Sequence, residues 1–339
     1  MKRQNIQILR SAACLGVFIV HLGQRLEPCA AVRFFTDCGA MGVYLFFLIS
    51  GYVSFLSFEK TNGNIRILKY YIVRFARILP VYYAVIFYQF LLHTYILCDV
   101  PFDKTEIGWK RYIFCISRVI PADEPFWTNL NSTWTIGAFV CFYLTAPYLY
   151  RNIWNYNTAL IGWMVSYCFS FYLNYYVPEY FEPVKQLPYF LLGIVIYYIE
   201  KEKNTKQVIG FCLINLLFII VMTGEWKNDI WAMFFGALIL CSRNLHITDV
   251  FVCRCINSLE KYAYSMYLVH VAVMEYVDRW KLSHVKNWRI QAIMIIIAGS
   301  ITGTFFVYNL IEKPVYYFAR KYTKEEKGVI IRQINKNII

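Results

Sequence analysis

Apolar residues run through this chain in long unbroken blocks, not in the spaced stripes of a soluble amphipathic helix. Ten blocks stand out, at roughly 8–24, 38–58, 78–98, 132–150, 157–176, 186–200, 207–223, 229–242, 259–277 and 290–311. A helix needs about 20 residues to cross the hydrocarbon core of a bilayer, and the shorter blocks suit spans tilted little or shielded by neighbours. Lipid offers the backbone no hydrogen-bond partners, so each block must close its own ladder as a helix. The pattern therefore predicts an all-α, polytopic membrane helical bundle of about ten transmembrane helices. It covers residues 1–320 as one membrane domain, followed by a mixed-charge tail at 321–339. The first block opens at once, with no small-residue cleavage site after it, and reads as a span and not a signal peptide. No tandem repeat or low-complexity segment interrupts the pattern.

Composition supports that class. The chain is 59% hydrophobic and only 16% charged, a balance outside the range of soluble domains of 339 residues. The formal charge of +13 raises the question of nucleic acid, but no basic amphipathic helix or binding motif accompanies it. Its distribution answers to topology instead. With the N-terminus inside, roughly 22 of the 34 cations fall on one side, from Lys2, Arg3 and Arg10 to the seven between Lys313 and Lys336. Both termini are then expected in the cytoplasm. The eleven cysteines sit mostly inside apolar blocks, the usage of a small hydrophobe and not of a disulfide framework. The longest outer connection, about 99–131, carries Asp99, Asp103, Glu106, Asp123 and Glu124. Its Asn131-Ser-Thr matches a glycosylation acceptor too close to a span to carry weight.

Candidate chemistry begins in the first block, Arg10-Ser-Ala-Ala-Cys-Leu-Gly-Val-Phe-Ile-Val-His21. Eleven helical residues advance about 16 Å and bring Arg10 and His21 to within roughly 20° of one face. If Arg10 marks the inner surface, His21 lies near the midplane, where an ionisable group suggests a proton relay or a catalytic base. A helix shifted along its axis would instead leave His21 among the far headgroups. In the second block, Gly39, Gly42, Ser50 and Gly51 permit close helix contact, and Ser50 and Tyr52 are candidate substrate contacts. Arg74 and Arg77, at i and i+3 before Pro80, could grip phosphate oxygens or could serve topology alone. Trp134 opens the fourth block. Tyr264, Ser265, Tyr267 and His270 share the ninth, and Glu312 ends the last, within reach of the arginines. His93, His246 and His284 read as ordinary residues near span ends or in loops. Cys253-x-Cys255 has no partners at zinc spacing, and no metal is expected.

Taken in order, these elements are more specific than any one alone. Arg-x10-His, Gly42-Val-Tyr-Leu-Phe-Phe-Leu-Ile-Ser-Gly-Tyr52, Arg74-Phe-Ala-Arg-Ile-Leu-Pro80, Trp134 with Phe-Tyr-Leu and Pro147, Phe190-x-x-Gly193, Tyr264-Ser-Met-Tyr-Leu-Val-His270 and Glu312-Lys-Pro succeed one another. This order resembles the acyltransferase 3 family of integral membrane acyltransferases across about residues 5–320. The resemblance implies transfer of an acyl group, commonly acetyl, from cytoplasmic acyl-CoA to a hydroxyl of a cell-surface or lipid-linked saccharide. It implies a place in the plasma membrane, the inner membrane if the host is bacterial. By position it gives His21 the role of the essential histidine and Arg10 that of its partner. It makes Arg74 and Arg77 the donor-binding pair. Two positions depart from the family: Tyr44 and Phe139 stand where many members carry carboxylates.

The chemistry agrees. A thioester is already activated, so the protein needs chiefly to deprotonate or orient a hydroxyl and to stabilise an oxyanion. Imidazole suits the first task, either as base or as a transient acyl carrier. Two competing classes are a saccharide carrier or flippase-like protein and a non-catalytic scaffold of polysaccharide assembly; the absence of an inverted repeat counts against the first.

Overall fold

The computed structural model describes residues 4–26, 38–61, 66–96, 111–116, 119, 133–221, 227–245, 247–279 and 288–323. Most of the outer connection with all five of its named acidic residues, Asn131, His246, His284 and most of the tail lie outside the described residues. Among those described, no strand occurs. The helices are α1 (Gln4–Leu26), α2 (Gly42–Glu59), α3 (Ile67–Leu91), α4 (Trp134–Asn152), α5 (Tyr156–Tyr176), α6 (Leu187–Glu202), α7 (Thr205–Val221), α8 (Lys227–Cys241), α9 (Val250–Arg279) and α10 (Trp288–Val307). A single turn, Glu182–Lys185, precedes α6. Each apolar block of the sequence falls on one of these helices. Among the described residues, four helical stretches, beginning at Gln4, Gly42, Ile67 and Gln291, are both long and apolar enough to cross a membrane. The outward face of α10 carries Met294, Ile297, Ile301 and Phe305 exposed, a display that lipid accommodates and water does not.

The bundle is organised around the crossing of α2 and α6. A Cβ on Gly51 would lie 1.9 Å from the carbonyl oxygen of Phe190, and one on Gly193 would lie 2.0 Å from that of Leu48. Only hydrogen fits at either place, so these two glycines set the distance between the helix axes. In lipid, helices gain little from apolar burial against each other, and such backbone approach is what packing energy rests on. Around the crossing, Phe47, Phe55, Phe142 and Phe190 are wholly buried. The Phe142 and Phe190 rings stack at 4.4 Å between centroids, an aromatic contact worth about 1 kcal/mol. A second close approach joins α1 to the start of α2: a Cβ on Gly42 would meet the Ala13 carbonyl oxygen at 2.7 Å. The small residues of the second block thus have packing roles, which holds α1 against α2 and turns its Arg10–His21 face toward α9.

Two irregularities place polar side chains. Leu92–Ile96 continues α3 as a π-turn, and Tyr308–Glu312 does the same after α10. The wider turn rotates the residues beyond it, and π-turns of this kind gather at functional sites. The first buries His93 and the second buries Glu312.

Candidate active site

At the end of the bundle where α1 begins, α1, α3 and α9 bring three arginines and a glutamate to one cavity. Arg10, Arg74, Arg77 and Glu260 line it, with Ser50 and Tyr143, and its volume is about 90 Å³. Arg10 Nη1 lies 3.7 Å from Glu260 Oε1. The Arg74 guanidinium stands 5.3 Å from the ring centroids of both Tyr70 and Tyr143, and its Nη2 donates to Ser54 Oγ at 3.4 Å. Arg77 faces the Tyr316 ring at 5.9 Å. Aromatic faces hold the guanidinium planes without consuming all their N–H groups, which keeps donors for an anionic ligand.

From the arginines the cavity extends along α9 past Tyr264 to Tyr267, opposite Val43, Phe46 and Thr135. Tyr264 donates to the Ile78 carbonyl, at the turn following Arg77. Tyr267 and Thr135 share a hydrogen bond of 3.1 Å. One helical turn further, the His270 ring lies 6.2 Å from that of Tyr267 and 5.3 Å from that of His21. His270 Nδ1–H donates to the Met266 carbonyl at 2.7 Å, and Phe18 meets the same ring edge-on. That bond fixes the ring and assigns its other nitrogen, Nε2, the acceptor role in the neutral tautomer. His21 is half-buried and His270 buried. Neither ring lines the cavity itself, which ends at Tyr267.

Other candidates from the sequence fall elsewhere. Tyr52 points away from the cavity and donates to Glu200 of α6. Trp134 packs on Phe47 at 5.9 Å. Ser265 is buried and donates to Glu312 Oε2 at 2.5 Å. Arg10 pairs with Glu260, while Glu312 lies within electrostatic reach of Arg77. Phe139, where a family carboxylate is expected, lines the cavity against Phe47 and Phe190. Tyr44 lies instead against Tyr189, whose hydroxyl donates to Asp229 at 3.0 Å.

Two features escape the sequence reading. Glu260 lies four residues before the Tyr264–His270 motif of α9, ten from its histidine, and nothing local marks it as the partner of Arg10. His93 is not ordinary: it is buried, its Nε2 lies 3.0 Å from Glu275 Oε1, and Gln89 Nε2 donates to Glu275 Oε2 at 2.7 Å. Within the described residues no group of three or more His, Cys, Asp or Glu side chains is arranged to hold a metal.

No curated protein and no solved structure matches the chain. The family model described as an acyltransferase domain matches residues 3–310, and that span contains every residue of the arginine-lined cavity and both histidines beyond it. The chain belongs to the acyltransferase 3 family, and is a membrane acyltransferase.

Proposed function

We propose that the protein transfers an acyl group, acetyl in the simplest case, from acyl-CoA to a hydroxyl of a cell-surface or lipid-linked saccharide. It does so in the plasma membrane, with both termini and the arginine-lined end in the cytoplasm. The observation that carries this reading is the cavity that begins at Arg10, Arg74 and Arg77 and stops against the Tyr267–His270–His21 run of rings.

The dimensions fit the donor. From diphosphate to sulfur, CoA has roughly thirteen bonds, which extend about 16 Å at the spacing of an extended chain. Arg10 and His21 are separated by about 16 Å along α1. With the diphosphate on the arginines, the thioester reaches the level of the histidines. Aromatic and aliphatic walls as far as Tyr267, one turn short of His270, suit the uncharged arm.

In this reading His21 takes the proton of the acceptor hydroxyl as its oxygen attacks the thioester carbonyl. The tetrahedral intermediate collapses with loss of the CoA thiolate, which recovers that proton from the imidazolium. One C–O bond forms, one C–S bond breaks, and no net proton is released. His270, anchored through Nδ1, orients the His21 ring. Arg10 is held by Glu260 at the other end of the helix, so the face of α1 that carries both residues keeps its register toward α9.

Phe139 in the cavity wall favours a second reading, a scaffold that binds donor without turning it over, because an aromatic ring stands where a carboxylate would complete an acid–base pair. Purified protein incubated with labelled acetyl-CoA separates the two. Release of free CoA thiol, raised by saccharide acceptor, identifies the enzyme. Binding with no thiol release identifies the scaffold.

A further inference from the structure

A second, much larger cleft of about 1110 Å³ opens between the first turns of α1, the end of α6, the start of α7 and the end of α8. It is large enough for a nucleotide, since small-ligand pockets commonly hold about 300–1,000 Å³. Its lining differs in character from that of the arginine cavity. Lys203 and Arg243 supply exposed cations, and Gln4, Asn5, Gln7 and Asn244 supply amides. Glu200, the carboxylate in this wall, accepts from the Tyr52 hydroxyl.

The cleft is a built feature. Gln4 clamps the backbone of Ile247 from both sides, donating to its carbonyl and accepting from its N–H, each at 3.0 Å. Asn5 Nδ2 donates to Ser242 Oγ at 3.4 Å. These bonds tie the connection after α8 to α1 and so hold Arg243 and Asn244 across from Lys203. Lys203 ends α6 in a left-handed conformation, with φ of 51°, which fixes where its side chain departs.

Cleft and cavity adjoin through three side chains. Gln7 lines the cleft, and its Nε2 lies 3.5 Å from Glu260 Oε2; Glu260 in turn pairs with Arg10, and both line the cavity. A ligand whose arm threads past Arg10 toward the histidines therefore leaves its head beside Gln7.

From this juxtaposition we infer that the cleft receives the adenosine 3′-phosphate end of the donor, with Lys203 and Arg243 meeting the 3′-phosphate and Asn244 the adenine edge. Asparagine amides pair well with the N6/N7 edge of adenine, and guanidinium with phosphate. The inference rests on the acyl-CoA reading above and assigns to its donor a site that the arginine pair does not supply.

The test compares donors with and without the nucleotide. Steady-state acetyl transfer is measured with acetyl-CoA and with S-acetylpantetheine for the wild type and for Lys203→Asn/Arg243→Ala. Asparagine tolerates the left-handed backbone at 203. The double variant is expected to raise KM for acetyl-CoA about tenfold with kcat within about twofold, the pattern of lost ground-state binding. KM for S-acetylpantetheine stays unchanged. An unchanged KM for acetyl-CoA, or an equal rise for both donors, overturns the nucleotide assignment while leaving the acyltransferase reading in place. Absence of transfer by the wild type from either donor overturns that reading, and the cleft assignment with it.

Discussion

The imidazole ring centroids of His21 and His270, residues some 250 positions apart in sequence, lie 5.3 Å apart and are held together by α1–α9 packing. The His270 Nδ1–H is committed to the Met266 carbonyl, which holds that ring in place beside His21. His270→Gln keeps a polar group at the site but removes the ring that positions His21. It is expected to lower kcat about 10- to 100-fold and to shift the pH profile of kcat, with KM for the donor little changed. A variant that moved only thermal stability would reduce His270 to a packing residue.

Arg74 and Arg77 sit in the cavity wall against tyrosine faces. Each alanine substitution is expected to raise KM for acetyl-CoA roughly tenfold or more, since a charge-assisted contact to phosphate is lost. Unchanged donor kinetics would leave both as topology signals.

Breaking the Arg10–Glu260 pair tests the register of α1. Glu260 is buried, and Arg10 retains modest exposure. Arg10→Met takes the 3.7 Å ion-pair partner from a buried carboxylate that keeps Gln7 beside it and Arg77 in the same cavity, and is expected to destabilise the fold by up to about 3 kcal/mol, read as a lower thermal midpoint in detergent. The double variant Arg10→Met/Glu260→Met is expected to recover most of that stability without recovering donor binding. Equal stability of the single variant and wild type would contradict a working ion pair.

The glycines of the α2–α6 crossing allow a sharper structural test. Gly193→Ala would put a Cβ 2.0 Å from the Leu48 carbonyl oxygen, and Gly51→Ala one 1.9 Å from that of Phe190. Backbone cannot yield as a side-chain tip does. Each substitution is expected to cost at least the roughly 1–3 kcal/mol of ordinary overpacking, whereas Gly210→Ala, with open space around it, is expected to be neutral. Comparable behaviour of all three variants in thermal unfolding would contradict the crossing.

Much of this arrangement is legible in the chain. The Arg10–His21 spacing is a property of one helix, and the glycine pairs mark close crossings because no other residue allows them. What local sequence does not carry is pairing across long separations. Glu260 meets Arg10, and Glu275 meets His93 and Gln89, only once α1, α3 and α9 are packed. His93 stands near the end of an apolar block, where a histidine ordinarily meets headgroups. A π-turn that the pattern of apolar positions cannot reveal turns it inward. Glu312 is the converse case: its place within electrostatic reach of Arg77 is readable from its position at the inner end of the last block, whereas its hydrogen bond from Ser265 depends on a similar turn.

The central claim, that His21 is the base acting on a hydroxyl at the end of the donor cavity, is tested most directly by acetyl transfer from acetyl-CoA in His21→Ala. General-base catalysis is ordinarily worth about 10²- to 10⁴-fold, so transfer is expected to fall by at least that factor while the variant inserts, folds and binds donor with wild-type affinity. Wild-type turnover in a folded His21→Ala protein would contradict it.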